Sequence, residues 1–289
     1  MAETGGNSGL LLDLDKGEGK VSSGRIYDQI SFPCSTLEIS FSSEIMAVFE
    51  KAEGEYYFRF CGMDWVPYDN SFGVTNEGTY QYTMCAFPKT MYKSITKPAK
   101  NAAALARAMG LKLTEDSENL DLKCPIVNLS AYELIMRHRL VSLQDAYAKG
   151  DMGEAVFIYC NSEAMYCAKW STMCKKKKRE LQFTSLEGQN VMKTLLDSRI
   201  ESDLCAVRSP KPWIESDYLA RMTGLQFQFL IPKNVAFCEN YTIKFEDDDS
   251  FDIPVPMLCT YQSADLLDSS KFSCVFTQVN LAKREGGNG

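Results

Sequence analysis

Histidine is almost missing from this 289-residue chain: His138 is the only one, and it stands between Arg137 and Arg139. A multi-histidine metal centre is therefore excluded. A Ser-His-Asp or Cys-His catalytic unit would have to use a residue that reads as part of a strand with two cationic neighbours. Cysteine pairs at zinc spacing are missing too, because the nearest of the 11 cysteines, at 160, 167 and 174, stand seven apart, whereas zinc ligand pairs are roughly two to four apart. Neither GxxxxGK[ST] nor GxGxxG occurs, so the usual phosphate cradles are absent. No apolar run approaches the ~18 residues of a membrane helix, and no basic-plus-apolar leader opens the chain. These absences predict a protein that is not an enzyme, uses no metal or cofactor and has no membrane partner.

The charge balance comes next. Lys plus Arg is 31 against 38 Asp plus Glu, a net charge of −7, so the summed field repels nucleic acid and any such contact needs a local basic face. The cysteines are odd in number and mostly sit singly within apolar runs, as buried free thiols do. They predict an intracellular, reducing compartment, in which the glycosylation-type triplets at Asn128 and Asn240 carry no meaning. The heptad-spaced Cys160, Cys167 and Cys174 alternate faces on strands and read as buried thiols rather than as a redox switch.

Residues 1–22 and the tail at 286–289 are rich in Gly, Ser and charge and read as mobile ends. Between them a repeat is visible. TLEISF, SSEIMAVFEKAEG and EYYFRFCGMDW at 36–65 read as strand, amphipathic helix, strand, with Ser43 opening the helix and Ile45, Met46, Val48 and Phe49 on its apolar face. Residues 132–170 repeat the order, with YELIMRHR as a strand. GTYQYTMCAFPKTMYKSI at 78–95, a strand and a helix started at Pro88, is matched by GLQFQFLIPKNVAFC at 224–238. The acidic strand pairs at 111–128 and 241–261 are matched as well. The expected architecture is α+β, two tandem copies with antiparallel sheets and short helices on one face. The copies span 23–128 and 129–285, with an Ala-rich helical insert at 98–110 and a polar insertion at 185–223.

These blocks resemble the sliding-clamp family, the proliferating-cell-nuclear-antigen-like DNA polymerase processivity factors, over about residues 36–285. EAVFIYCNSEAMYCAKW after the 132–149 segment looks like the opening of a clamp's second domain. FPKTMYKSITKPAKN at 87–101 is similar to the lysine-bearing helix of the first, and KFSCVFTQVNLAKREGG at 271–287 looks like the closing strand and tail. The insertions and the short connector PIVNLSA depart from the cellular rings and look more like a viral or heteromeric clamp subunit. The resemblance implies a DNA clamp fold, duplex DNA and a DNA polymerase or other replication and repair proteins as partners, self-association as a dimer or trimer, and a nuclear or viral-replication-site location.

Under that reading a basic inner face touches phosphates without reading bases. Lys89, Lys93, Lys97 and Lys100 have the spacing of one helical face. In the second copy the candidates are Arg137, Arg139, Lys149 and Lys233. The run Lys175, Lys176, Lys177, Lys178 and Arg179 reads as a DNA-gripping loop, a solvated hairpin or a nuclear import signal. A partner peptide would dock against Ile126, Val127 and Leu129 with Pro254 and Pro256 opposite. Two rival readings stand beside the clamp: a virion-type structural protein that self-assembles, and a protein-interaction module that ignores nucleic acid.

Overall fold

The computed structural model describes residues 9–30, 32–49, 56–75, 77–122, 128–161, 163–183, 193–195, 222–229, 235–246, 253–269 and 271–279. The N-terminal strands are β1 (Leu10–Asp13), β2 (Lys20–Gln29), β3 (Thr36–Ser43), β4 (Tyr57–Phe60), β5 (Met63–Val74) and β6 (Tyr80–Pro88). The middle of the chain holds β7 (Ser94–Ile95), α1 (Ala102–Met109), β8 (Lys112–Leu113), β9 (Leu129–Ser130), α2 (Ala131–Ala148), β10 (Val156–Cys160), β11 (Ala164–Lys169) and α3 (Trp170–Lys175). The C-terminal strands are β12 (Lys178–Phe183), β13 (Lys193–Leu195), β14 (Met222–Phe229), β15 (Asn240–Phe245), β16 (Ile253–Asp265) and β17 (Phe272–Val279).

Alternation builds the N-terminal strands: Leu37, Ile39 and Phe41 of β3 and Tyr82, Met84 and Ala86 of β6 point into one core with Trp65 and Phe58, while their neighbours face out. Truncating a fully buried ring there, such as Trp65 or Phe41, costs about 3–5 kcal/mol. α1 begins at Asn101, whose side chain accepts from the Ala104 amide at 2.9 Å, and ends at Gly110 with φ 84°, a left-handed cap that glycine adopts without strain. Its Leu105, Ala106 and Met109 pack with Leu134 and Ile135 of α2 and with Ile158 and Cys167 of the small β10–β11–β8 sheet.

The expected pair of tandem copies is not the fold. A single 12-stranded sheet takes strands from both halves of the chain, with the path β1-β4-β5-β6-β3-β2-β16-β17-β14-β13 and β15 and β12 branching from β16. β16 is the junction: β17 lies along one side, and β15 and β2 follow one another along the other. Sheet order therefore crosses the boundary expected at 128/129. Several local expectations change with it. YELIMRHR is the start of α2, not a strand, because Ser130 and Glu133 form a reciprocal capping box that satisfies the first-turn amides. Residues 44–49 form no helix: the Ser43 hydroxyl takes the Ile45 amide at 3.0 Å and bonds the Glu18 carbonyl, and the chain bends at 44–45 and runs on without regular structure to 49, while 50–54 lie outside the described residues. The helix expected from Pro88 is one 3-10 turn at Lys89–Tyr92 followed by β7. Residues 10–22, expected within a mobile arm, supply β1 and the start of β2, with Leu12 fully buried. Residues 1–8 and the tail lie outside the described residues, as does most of the 185–223 insertion, of which 193–195 is β13 and 222–223 opens β14.

One polar cluster ties the layers together. The Asp28 carboxylate on β2 accepts from Ser35 at 2.7 Å, from the Tyr159 hydroxyl of β10, and from the Gln262 amide of β16 at 2.6 Å. Ser35 and Tyr159 also bond each other at 2.9 Å. Beside it, the Cys160 amide donates to the Pro33 carbonyl at 2.7 Å, and Arg139 donates to the Ile30 carbonyl while lying 5.0 Å from the centre of the Phe157 ring. Burial, and then the Asp28 carboxylate, pushes the Tyr159 phenol well above its ordinary value.

Two outcomes follow. Asp28→Ala removes the charged acceptor and strands its three donors, and is expected to lower unfolding free energy by about 2–4 kcal/mol, with Tyr159→Phe costing about 1–2 kcal/mol, measured by denaturant titration. Burial also raises Tyr92 and Tyr166 to about 12, and Cys167 to about 12. A raised folded pKa gives stability that is complete below the unfolded values, roughly 8.5 for Cys and 10 for Tyr, and is lost as pH rises toward the folded ones. The melting temperature should hold near neutrality and fall steadily above about pH 9.

Candidate interaction surfaces

Two surfaces stand out on the body of the sheet. The first is the tip of the β5–β6 hairpin. β4 pairs with β5 at Met63, Asp64 and Trp65, and the last six residues of β5, 69–74, are all exposed. A stacked ladder runs outward through this region: Phe41 lies 4.9 Å from Tyr82, and Tyr82 lies 6.3 Å from Phe72. The first two rings are buried, whereas Phe72 is 53% exposed. The Tyr82 hydroxyl accepts from the Ala47 amide at 2.8 Å and donates to the Ile45 carbonyl at 3.0 Å. That latch holds the 45–48 segment beside the ladder. Ala47 and Phe49 turn inward, and Ile45, Met46 and Val48 turn to solvent. Five of the six large apolar residues exposed among those described, Ile45, Met46, Val48, Phe72 and Val74, thus gather around Tyr82.

The second surface is a cleft of about 840 Å³ whose lining includes Arg59, Asp64, Lys89, Thr90, Lys93 and Glu163. Its rim is the β4–β5 turn, where Cys61 and Gly62 both have positive φ, 51° and 73°, the two-residue hairpin geometry that favours glycine at its second position. The Asp15 carboxylate fixes this turn by accepting both amides, at 2.7 and 2.8 Å. Partial desolvation and then Asp15 push the Cys61 thiol upward, which leaves it protonated and a poor nucleophile. Arg59 is held by Asp64 at 2.8 Å. Lys89 lies over the Tyr57 ring, 3.3 Å from its centre.

The basic residues singled out in the sequence do not form one face. Lys89 and Lys93 enter the cleft, but Lys97 and Lys100 follow on non-helical backbone outside its lining. Arg137 and Lys149 are exposed on and just after α2, and Arg139 is committed to Ile30 and Phe157. The Lys175–Arg179 run is not a loop: Lys175 ends α3, and Lys178 and Arg179 begin β12. Lys176 pairs with Asp116 and Glu239 and sits 4.2 Å over the Tyr166 ring, so it braces the α3–β12 junction. Lys233, Ile126 and Val127 lie outside the described residues. Leu129 is held by β7, whereas Pro254 and Pro256 belong to β16 in the large sheet, so they share no groove wall in the strand pairing. Arg59, Asp64 and Glu163, which complete the cleft, were not singled out; no local signal brings residue 163 to residue 59.

No family model matches the chain, and no curated protein does. Solved structures similar to it include the tail protein from Neisseria meningitidis MC58, at 8% identity over 91% of this chain and 93% of that one with a TM-score of 0.47. The 43 kDa tail protein of prophage MuSo2 from Shewanella oneidensis is 10% identical over 90% and 93%, TM-score 0.47. E. coli c3393, described as a component of the type VI secretion system with structural similarity to T4 bacteriophage tail proteins gp27 and gp5, is 12% identical over 93% and 76%, TM-score 0.45. These are tail and secretion proteins, not sliding clamps. The clamp resemblance is corrected by the undivided sheet, whose strand order crosses the boundary between the expected copies. Duplex DNA and a polymerase as partners, the replication role and the nuclear location rested on that resemblance and are withdrawn with it.

Removing the Tyr82 hydroxyl tests how the apolar surface is held. Tyr82→Phe deletes both bonds of the latch and is expected to cost about 1–2 kcal/mol, with amide exchange of Ala47 accelerated while the amides of β3 keep their protection.

Proposed function

We propose that this chain is a non-catalytic structural subunit that works by assembling with further copies of itself through the β5–β6 tip. What supports this is the exposure of Ile45, Met46, Val48, Phe72 and Val74 on the β5–β6 hairpin and on the segment that the Tyr82 hydroxyl holds beside it. A contiguous exposed apolar patch costs solubility in an isolated chain and marks a contact surface. The exposed end of β5 adds main-chain groups able to pair with another strand. It is the virion-type structural reading that stood beside the clamp in the sequence. No nucleophile–base pair or metal-ligating group enters it; the work is done by shape and apolar contact.

Light scattering over a concentration series tests it. The native chain should give a defined oligomer that grows with concentration. Phe72→Asp, which places a charge in the middle of the patch but leaves Tyr82 and Phe41 in place, should shift association at least tenfold toward the monomer with an unchanged far-ultraviolet spectrum. A native chain that stays monomeric at every concentration, or a variant that associates as well as the native one, overturns the reading.

A further inference from the structure

Arg59, Lys89 and Lys93 line the cleft between the β4–β5 turn and the 3-10 turn at Lys89–Tyr92, against the two carboxylates Asp64 and Glu163. Arg59 is already neutralised by Asp64 at 2.8 Å. Among the described residues neither Lys89 nor Lys93 has a carboxylate within ion-pair distance, and Lys89 rests on the Tyr57 ring instead. The Thr90 hydroxyl, a further lining group, is shielded from solvent and lacks a hydrogen-bond partner among those residues. The cleft thus carries positive charge without a partner on a chain whose net charge is −7. Such a concave site focuses its field on anions, and lysines without carboxylate partners in a cleft of this volume fit several carboxylates better than one small ion.

The densest anionic run in the chain is its own: Glu246, Asp247, Asp248 and Asp249, with Asp252 close behind, between β15 and β16. We infer that the cleft receives this acidic segment from a second copy, with Lys89 and Lys93 as its principal contacts. The cleft and the acidic segment are different parts of the chain, so the contact either is reciprocal in a two-fold dimer or runs head-to-tail into a ring or filament. It rests on the assembly reading and adds to the apolar tip a second, salt-sensitive contact. Attraction between partly exposed charges is screened within about 8 Å at physiological ionic strength, so it sets direction and register rather than supplying most of the affinity.

The test separates this contact from the tip. A fluorescent peptide spanning residues 245–252 is titrated into the full-length Phe72→Asp chain, so that failure of the tip-mediated assembly does not touch the result. Saturable binding is expected that weakens at least tenfold in the Lys89→Glu/Lys93→Glu double variant and at high salt, and that is lost when the peptide's acids are replaced by their amides. The double variant is checked by its melting curve, and Lys97→Glu/Lys100→Glu serves as a charge-matched control that should bind normally. Absence of binding, equal binding by the amide peptide, or equal loss in the control variant overturns the inference. Inorganic phosphate binding at Lys89 and Lys93 without peptide binding also overturns it, and reassigns the cleft to small anions.

Discussion

The structure depends on one long-range pairing, that of β2 with β16, locked by the Asp28 carboxylate. Gln29 lies opposite Tyr261 and Arg25 opposite Asp265, more than two hundred residues apart in sequence, and the Asp28–Gln262 hydrogen bond of 2.6 Å crosses the same seam. Without it the N-terminal strands β1 to β6 and the C-terminal strands β12 to β17 would be two sheets with two more open edges. Tyr159 and Ser35 bring the small β10–β11–β8 sheet onto the same carboxylate. A charged acceptor sharing three donors in a half-buried setting is worth more than its separate bonds. It also fixes register, since a one-residue slip of β16 would turn Gln262 away from Asp28.

Both surfaces depend on that frame. Once β2 is held by β16, β3, β6 and β5 follow in order, and the Phe41–Tyr82–Phe72 ladder leads from the core to solvent along them. Tyr82 has two functions here: its ring packs in the core, and its hydroxyl holds the 45–48 segment so that Ile45, Met46 and Val48 face outward together. The cleft arises where the β4–β5 turn meets the 3-10 turn at Lys89–Tyr92. Asp15, from the segment between β1 and β2, holds that turn in place.

Local patterns made part of this legible in the sequence. The alternation in 36–41 and 80–86 is strand, the Ala-rich stretch closed by Asn101 and Gly110 is α1, and the acidic run at 246–249 does lie between two strands. YELIMRHR misleads because its apolar and polar residues alternate as in a strand, yet the Ser130–Glu133 capping box was readable three residues apart and decides for the helix. The supposed duplication rested on such local likeness, and local likeness carries no information about β2 meeting β16. Ile45, Met46 and Val48 were noticed as one apolar set, but as the buried face of a helix rather than an exposed surface. Lys89 and Lys93 were named for the wrong geometry: the four-residue spacing implies a common helical face, whereas the chain leaves its single 3-10 turn at Tyr92.

Hydrogen exchange of the native chain at low and high protein concentration tests the central claim most directly, that this sheet is built to meet another copy. The account predicts concentration-dependent protection concentrated in residues 44–49 and 69–74, with the β2–β16 seam equally protected at both concentrations. Protection that does not change with concentration, or that arises on the helical side around α2 instead, would contradict it.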